Sequence, residues 1–305
     1  MRLLLLLLLL RWREHCMGKL QKAVEEKIEG NQLESRDEGK MWLVRHLEII
    51  RMVMLEDLRI AKHHLTPCFP PRYNIAQHCI SLYHGAVASR LQDILEKGLE
   101  GQEYVSLLQW VLQTYPGPEL MGSPALGLEA SLVPPLLTEA QVGRLTGSYL
   151  ANMRDNYSSW MTNTIRQEKE DWCSDRDPDM DFDGFFHTSS PVIIYQMVDE
   201  NLQVSATISQ ELVYKVLVLG IEQVTRWGSS CLLYSCSRYG TMYRAAIQEY
   251  KASYFRERSS LSLFTRYMIA IVNNCDRFEV LSQEMKARWC SCYSYFSCPY
   301  HSHLK

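Results

Sequence analysis

The chain has 305 residues, 47% of them hydrophobic, enough to bury one large core or two ordinary ones. Its 32 basic side chains stand against 35 acidic ones, a net charge of −3 and a pI near 6.3. That balance excludes the basic excess or stripe of a nucleic-acid-binding protein. Ten cysteines, six of them after position 230, do not make an extracellular disulfide framework, so reduced thiols are expected.

Leu3 to Leu10 is a run of eight leucines behind Arg2. Its length and charge suit the apolar core of a signal peptide, but Arg11, Trp12, Arg13 and Glu14 follow at once and no small-x-small cleavage site does. It is also far short of the ~20 residues that span a bilayer. Residues 1–16 are read as a helix-prone, aberrant leucine-rich start.

Residues 17–115 read as one helical module of four helices. The first, 17–29, closes at Gly30. The second, 40–65, places Leu43, Leu47, Ile50, Met54, Leu58, Ala61 and Leu65 on one face, and Pro67, Pro70 and Pro71 stop it. The third, 73–99, runs through Ile75, Cys79, Leu82, Val87, Leu91 and Ile94, and the fourth, 103–115, through Val105, Leu108, Leu112 and Tyr115. Residues 116–137 lose all periodicity and are rich in proline and glycine, a connector.

A second helical module is expected over 138–288. Thr138-x-x-Gln141 is a capping-box signature, opening a helix to about Trp172 with Val142, Leu145, Tyr149, Met153 and Trp160 on its buried side. An acidic loop, 173–190, leads to Ser190 and Pro191, residues suited to a helix start. From there to Arg226 the sequence predicts one long helix, ~50 Å at the usual rise per residue. Ile194, Val198, Leu202, Ile208, Leu212, Val216 and Leu219 form its stripe, and Asp199, Gln203 and Thr207 its outer side. Residues 228–240 interrupt the pattern. Helices over 241–258 and 263–289 close the module, and residues 289–305 form a Cys/Tyr-rich tail without period. No period-two stretch is evident. The fold class expected is all-α, elongated stacked antiparallel helical bundles.

Candidate chemistry is sparse. Asp179-x-Asp181-x-Asp183-Gly184 opens like an EF-hand calcium loop, but the twelfth position, which must supply a bidentate Glu, is Ser190. A solvated acidic loop is the better account. His63-His64 with Cys68, and His78-Cys79, are split by a proline-rich turn; Cys290, Cys292, Cys298, His301 and His303 fit no zinc spacing. The carboxylate pairs Glu25-Glu26, Glu56-Asp57 and Asp199-Glu200 lie among polar helical positions and read as solvated faces. Tyr243, Tyr250 and Tyr254, beside Arg244, Lys251, Arg256 and Arg258, read as bundle packing with an arginine-rich edge, against a phosphate-binding surface. No nucleophile elbow, Walker loop, dinucleotide turn or HExxH helix is present. No catalytic residue, metal or cofactor is expected.

Eight stretches carry a resemblance. They are Lys40-Met-Trp-Leu-Val-Arg-His-Leu-Glu48, Pro67-Cys-Phe-Pro-Pro71, Val105-Ser-Leu-Leu-Gln-Trp-Val-Leu112, Pro118-Glu-Leu-Met-Gly122, Asp183-Gly-Phe-Phe-His-Thr188, residues 204–208, Lys215-Val-Leu-Val-Leu219 and Tyr267-Met-Ile-Ala-Ile-Val-Asn-Asn-Cys275. In this order they resemble the exocyst complex component 3 family, with its component 3-like and tumour-necrosis-factor-induced protein 2 relatives, from about Leu20 to Ala287. The resemblance implies a non-enzymatic, cytoplasmic exocyst subunit, peripheral at the plasma membrane and secretory vesicles. It would tether vesicles through contacts with other exocyst subunits and SNARE proteins. The tumour-necrosis-factor-induced branch implies an alternative, a membrane-remodelling adaptor that meets anionic lipids through the basic edge 244–258.

Overall fold

The computed structural model describes residues 2–30, 39–128, 134–224, 238–257 and 261–290. The chain divides into two compact units, residues 1–149 and 150–305. Helices dominate both, and the described strands are one pair of two residues each. All-α is the observed class.

In the first unit, α1 (Arg2–Glu29) takes in the leucine run and contacts α3 (Ile75–Glu96), which also packs on α2 (Trp42–Ile60). The α2 stripe buries as periodicity requires: Leu43, Leu47, Ile50, Met54 and Leu58 are all sealed from solvent. On α3 the buried position is Tyr83, not the expected Leu82, and its ring continues the Ile75, Cys79, Val87 line. Both α2 and α4 (Gln102–Gln109) end in a wide π turn, Ala61–Leu65 and Trp110–Thr114, where a proline follows shortly and the α-helical ladder stops.

Residues 116–128 contain no helix, yet Leu120 and Met121 are completely buried. Lys62 Nζ donates to the carbonyls of Ala125 and Leu126, and Arg51 to that of Glu119, so helix side chains satisfy the turn backbone. Gly117 is required here, since a Cβ would lie 2.4 Å from the Gln113 carbonyl oxygen.

Helix α5 (Glu139–Trp172) starts at the capping box: Thr138 N–H donates to Gln141 Oε1 at 2.8 Å, and Gln141 N–H to Thr138 Oγ1 at 3.3 Å. In the second unit its line continues through Met153, Tyr157, Met161, Ile165, Glu168 and Trp172, all buried.

The single long helix expected from Ser190 to Arg226 is two. Helix α6 (Ser190–Ala206) and α7 (Gln210–Val224) fold back on each other as a hairpin, with Val198 of one against Gly220 of the other. Between them, Thr207 and Ile208 close α6 with three-residue hydrogen bonds, Ile208 turns into the core, and Ser209 Oγ accepts from Leu212 N–H at 3.2 Å to cap α7. The residues 204–209 are mostly β-branched or hydroxylic, poor helix formers whose side chains compete for the backbone; Thr207 Oγ1 bonds the Val204 carbonyl. Ser190 does not cap α6, whose first turn follows Ser189; it is wholly buried.

At Gly220 α7 comes close to α6, a Cβ there lying 2.7 Å from Val198 Cγ1. Gly220→Ala gains about 1 kcal/mol of helix propensity, but it must displace a buried β-branched side chain, which costs about 1–3 kcal/mol. We expect G220A alone to lower stability in urea unfolding and G220A with V198A to recover part of the loss relative to V198A. Additive single effects would place the two helices further apart than the structure does.

Helices α8 (Arg238–Glu257) and α9 (Leu261–Cys290) complete the unit; of the interruption expected over 228–240, residues 228–237 lie outside the described residues and 238–240 are the first turn of α8.

Candidate functional site

Glu168 occupies an apolar helix line yet ends in a carboxyl. It is 4% exposed, and four elements converge on it. Thr188, just before α6, donates its hydroxyl to Oε1; the Tyr243 hydroxyl of α8 and the Ser190 hydroxyl of α6 also face the carboxyl, while Oε2 has no hydrogen-bond partner. From α9, Asn274 donates to Thr188 Oγ1 at 2.7 Å and to the Tyr243 hydroxyl at 3.2 Å, and its Oδ1 accepts from Thr188 N–H at 3.1 Å. Burial pushes the Glu168 carboxyl up to about 7, with nearby Asp171 adding to it and the hydroxyl hydrogen bonds opposing. One turn on, the Trp172 ring fits between Tyr243 and Tyr250 at 5.6 and 5.4 Å between centroids. Chemically this is a polar lock between α5, α6, α8 and α9.

Two carboxylates read as solvated do similar work. Asp57 accepts from Lys27 Nζ of α1 at 2.6 Å and from the Tyr83 hydroxyl of α3, so it ties three helices together. Burial, then this hydrogen bond, drives the Tyr83 phenol far up. Asp199 accepts from Trp289 Nε1 at 2.9 Å and from Arg288, joining α6 to the end of α9. The reason is tertiary: each faces outward on its own helix but into a neighbour. Glu25, Glu26, Glu56 and Glu200 do remain at the surface, with partners on their own helices.

The remaining candidates separate. His63, His64 and Cys68 are exposed around the π turn, and Cys79 is buried on α3 with its thiol pushed up by burial. Among the described residues no three His, Cys, Asp or Glu side chains are grouped to hold a metal. Cys292, Cys298, His301, His303 and Arg258 lie outside the described residues, as does the side chain of Cys290. Tyr243, Tyr250 and Tyr254 are buried in packing, while Arg244, Lys251 and Arg256 line the exposed side of α8.

The calcium-like segment is a β-hairpin, β1 (Asp179–Met180) against β2 (Phe186–His187), where no strand was expected. Asp181 Oδ1 accepts from the backbone N–H of Asp183 at 3.0 Å and of Phe185 at 2.8 Å, and Gly184 takes φ +83°. The aspartate at the centre of the motif builds the turn.

The sequence model described as exocyst complex component Sec6 matches residues 10–295. The chain belongs to the Sec6 exocyst family. Exocyst complex component 3 of Drosophila melanogaster is 43% identical over 276 residues, covering 90% of this chain and 36% of the relative. That of Caenorhabditis elegans is 31% identical over 266 residues, 86% of this chain and 32% of the relative. A Homo sapiens exocyst complex component 3-like protein is 28% identical over 269 residues, 86% and 34%. This Sec6-family chain therefore spans about a third of the length of these curated relatives. The crystal structure of M-Sec matches 93% of the chain and 49% of its own, with TM-score 0.68 at 19% identity, a likeness of fold.

Proposed function

We propose that this chain works as part of an exocyst subunit that tethers secretory vesicles to the plasma membrane. It acts in the cytoplasm, through helix-face contacts with other exocyst subunits and with SNARE proteins, and without catalysis. The match to the Sec6 family across residues 10–295 carries this reading. The polar clusters support a scaffold, because Asp57, Glu168 and Asp199 each accept hydrogen bonds from side chains outside their own helix and so hold elements together. No described helix is long and apolar enough to cross a membrane, so membrane contact would be peripheral or through partners.

The test is reconstitution. The purified chain is immobilised and offered each of the other exocyst subunits, and separately the SNARE proteins; retention of at least one exocyst subunit is the expected result, and retention of none overturns the reading. One observation favours a second reading: Arg244, Lys251 and the 51%-exposed Phe255 recur at helical spacing on one outer face of α8, the arrangement an anionic bilayer would attract. In that case the chain sediments with anionic vesicles at low salt and is released at high salt. Without a lipid contact it stays in the supernatant at both.

A further inference from the structure

We infer that the β1–β2 hairpin is a docking finger whose partner is a basic-rimmed apolar pocket on another exocyst subunit, an inference that rests on the tethering reading above. Phe182 at its tip is 111% exposed, and Met180 (62%) and Phe185 (60%) are exposed on opposite faces of the hairpin below it. Scattered surface apolar residues need no explanation, but a wholly exposed phenylalanine at the tip of an anchored turn is a side chain that a pocket can take, and aromatic residues dominate binding energy at interfaces.

The finger is held rigidly. At one foot the Tyr267 hydroxyl of α9 donates to the Arg176 carbonyl at 3.1 Å and Arg266 pairs with Asp177; at the other, Asn273 donates to the Phe186 carbonyl at 2.8 Å and Asn274 bonds Thr188. The tip is ordered by Asp181, whose N–H also donates to the Phe185 carbonyl at 3.0 Å. Little freedom is lost when such a tip binds.

Charge selects the partner. Residues 175–188 hold five aspartates and one arginine, of which Asp177 is matched by Arg266. The apolar tip is thus set in a negative field, which repels an anionic bilayer and steers toward a pocket rimmed by Lys and Arg.

The wild-type chain, F182A and D179K/D183K are compared for binding to each purified exocyst subunit at low and high salt. Phe182 contributes nothing to the core, so F182A should melt with the wild type while binding at least tenfold more weakly. D179K/D183K should lose the salt dependence of association, an independent readout should F182A fail to fold. Wild type bound by a subunit that F182A and the charge variant bind equally well overturns the finger and leaves the tethering reading standing. No subunit bound by wild type overturns both. A Phe182-dependent self-association in sedimentation, or Phe182-dependent binding to anionic vesicles, overturns the choice of partner.

Discussion

Trp172→Ala is expected to remove about 3–5 kcal/mol from the stability of the second unit, the range for truncating a large buried aromatic. The ring is fully buried, and one of its two partners passes the contact on: Tyr250 stacks against Phe264 of α9 at 5.5 Å, and Tyr254, next to Tyr250, lies 5.3 Å from the same phenylalanine ring. Removing the indole therefore leaves a cavity where α5, α8 and α9 meet, and the tyrosines around it are too constrained to fill it. Trp172→Phe should keep most of the loss at bay. Hydrogen exchange separates the effect by place: amides in 150–290 lose protection while those of α2 and α3 keep theirs. A loss below about 1 kcal/mol would mean that the three helices do not share this core in solution.

The second large effect is one of pH. The Glu168 carboxyl has an ordinary value of 4.5 and is pushed up to about 7 in the folded chain, first by burial. The folded state therefore holds a proton that the unfolded state releases above the ordinary value. Its contribution to stability is fully present below about 4.5 and is lost as pH rises through about 7, by about 3 kcal/mol in all. Glu168→Gln does not titrate and keeps the size and much of the hydrogen bonding of the protonated acid. Urea unfolding of the two proteins from pH 4.5 to pH 8 should show the glutamine variant gaining on the wild type across that interval. A difference that does not change with pH would mean that Glu168 reaches water or a cation in the folded protein.

Glu168 also shows how near the sequence came to the structure. Continuing the α5 line from Met153 at helical spacing reaches Tyr157, Met161, Ile165, Glu168 and Trp172, and an acid on that line is conspicuous. The line expected on α5 runs instead from Met153 to Trp160 and does not reach Glu168. Asp57 and Asp199 offered no such signal. Periodicity places them off the main stripe, and only the positions of Tyr83 and Trp289 on other helices bring them donors.

Local signals by themselves determined most of the helices: the α2 stripe, the Thr138–Gln141 cap of α5, the prolines that end α2, and the ordered motifs by which the family was recognised. These depend on residues within a turn or two of each other, where spacing and backbone chemistry are enough. Tertiary structure decided the rest. The break between α6 and α7 has no glycine or proline to announce it; a weak helical stretch gives way because folding back puts Val198 against Gly220 and buries both apolar faces. The alternating aspartates became a hairpin because α9 supplies Arg266, Tyr267 and Asn273 to hold its feet, partners some 90 residues away in sequence. Helix periodicity is a property of one segment, whereas burial, pairing and turns of this kind depend on which segments meet, and the contact energy that settles them belongs to both.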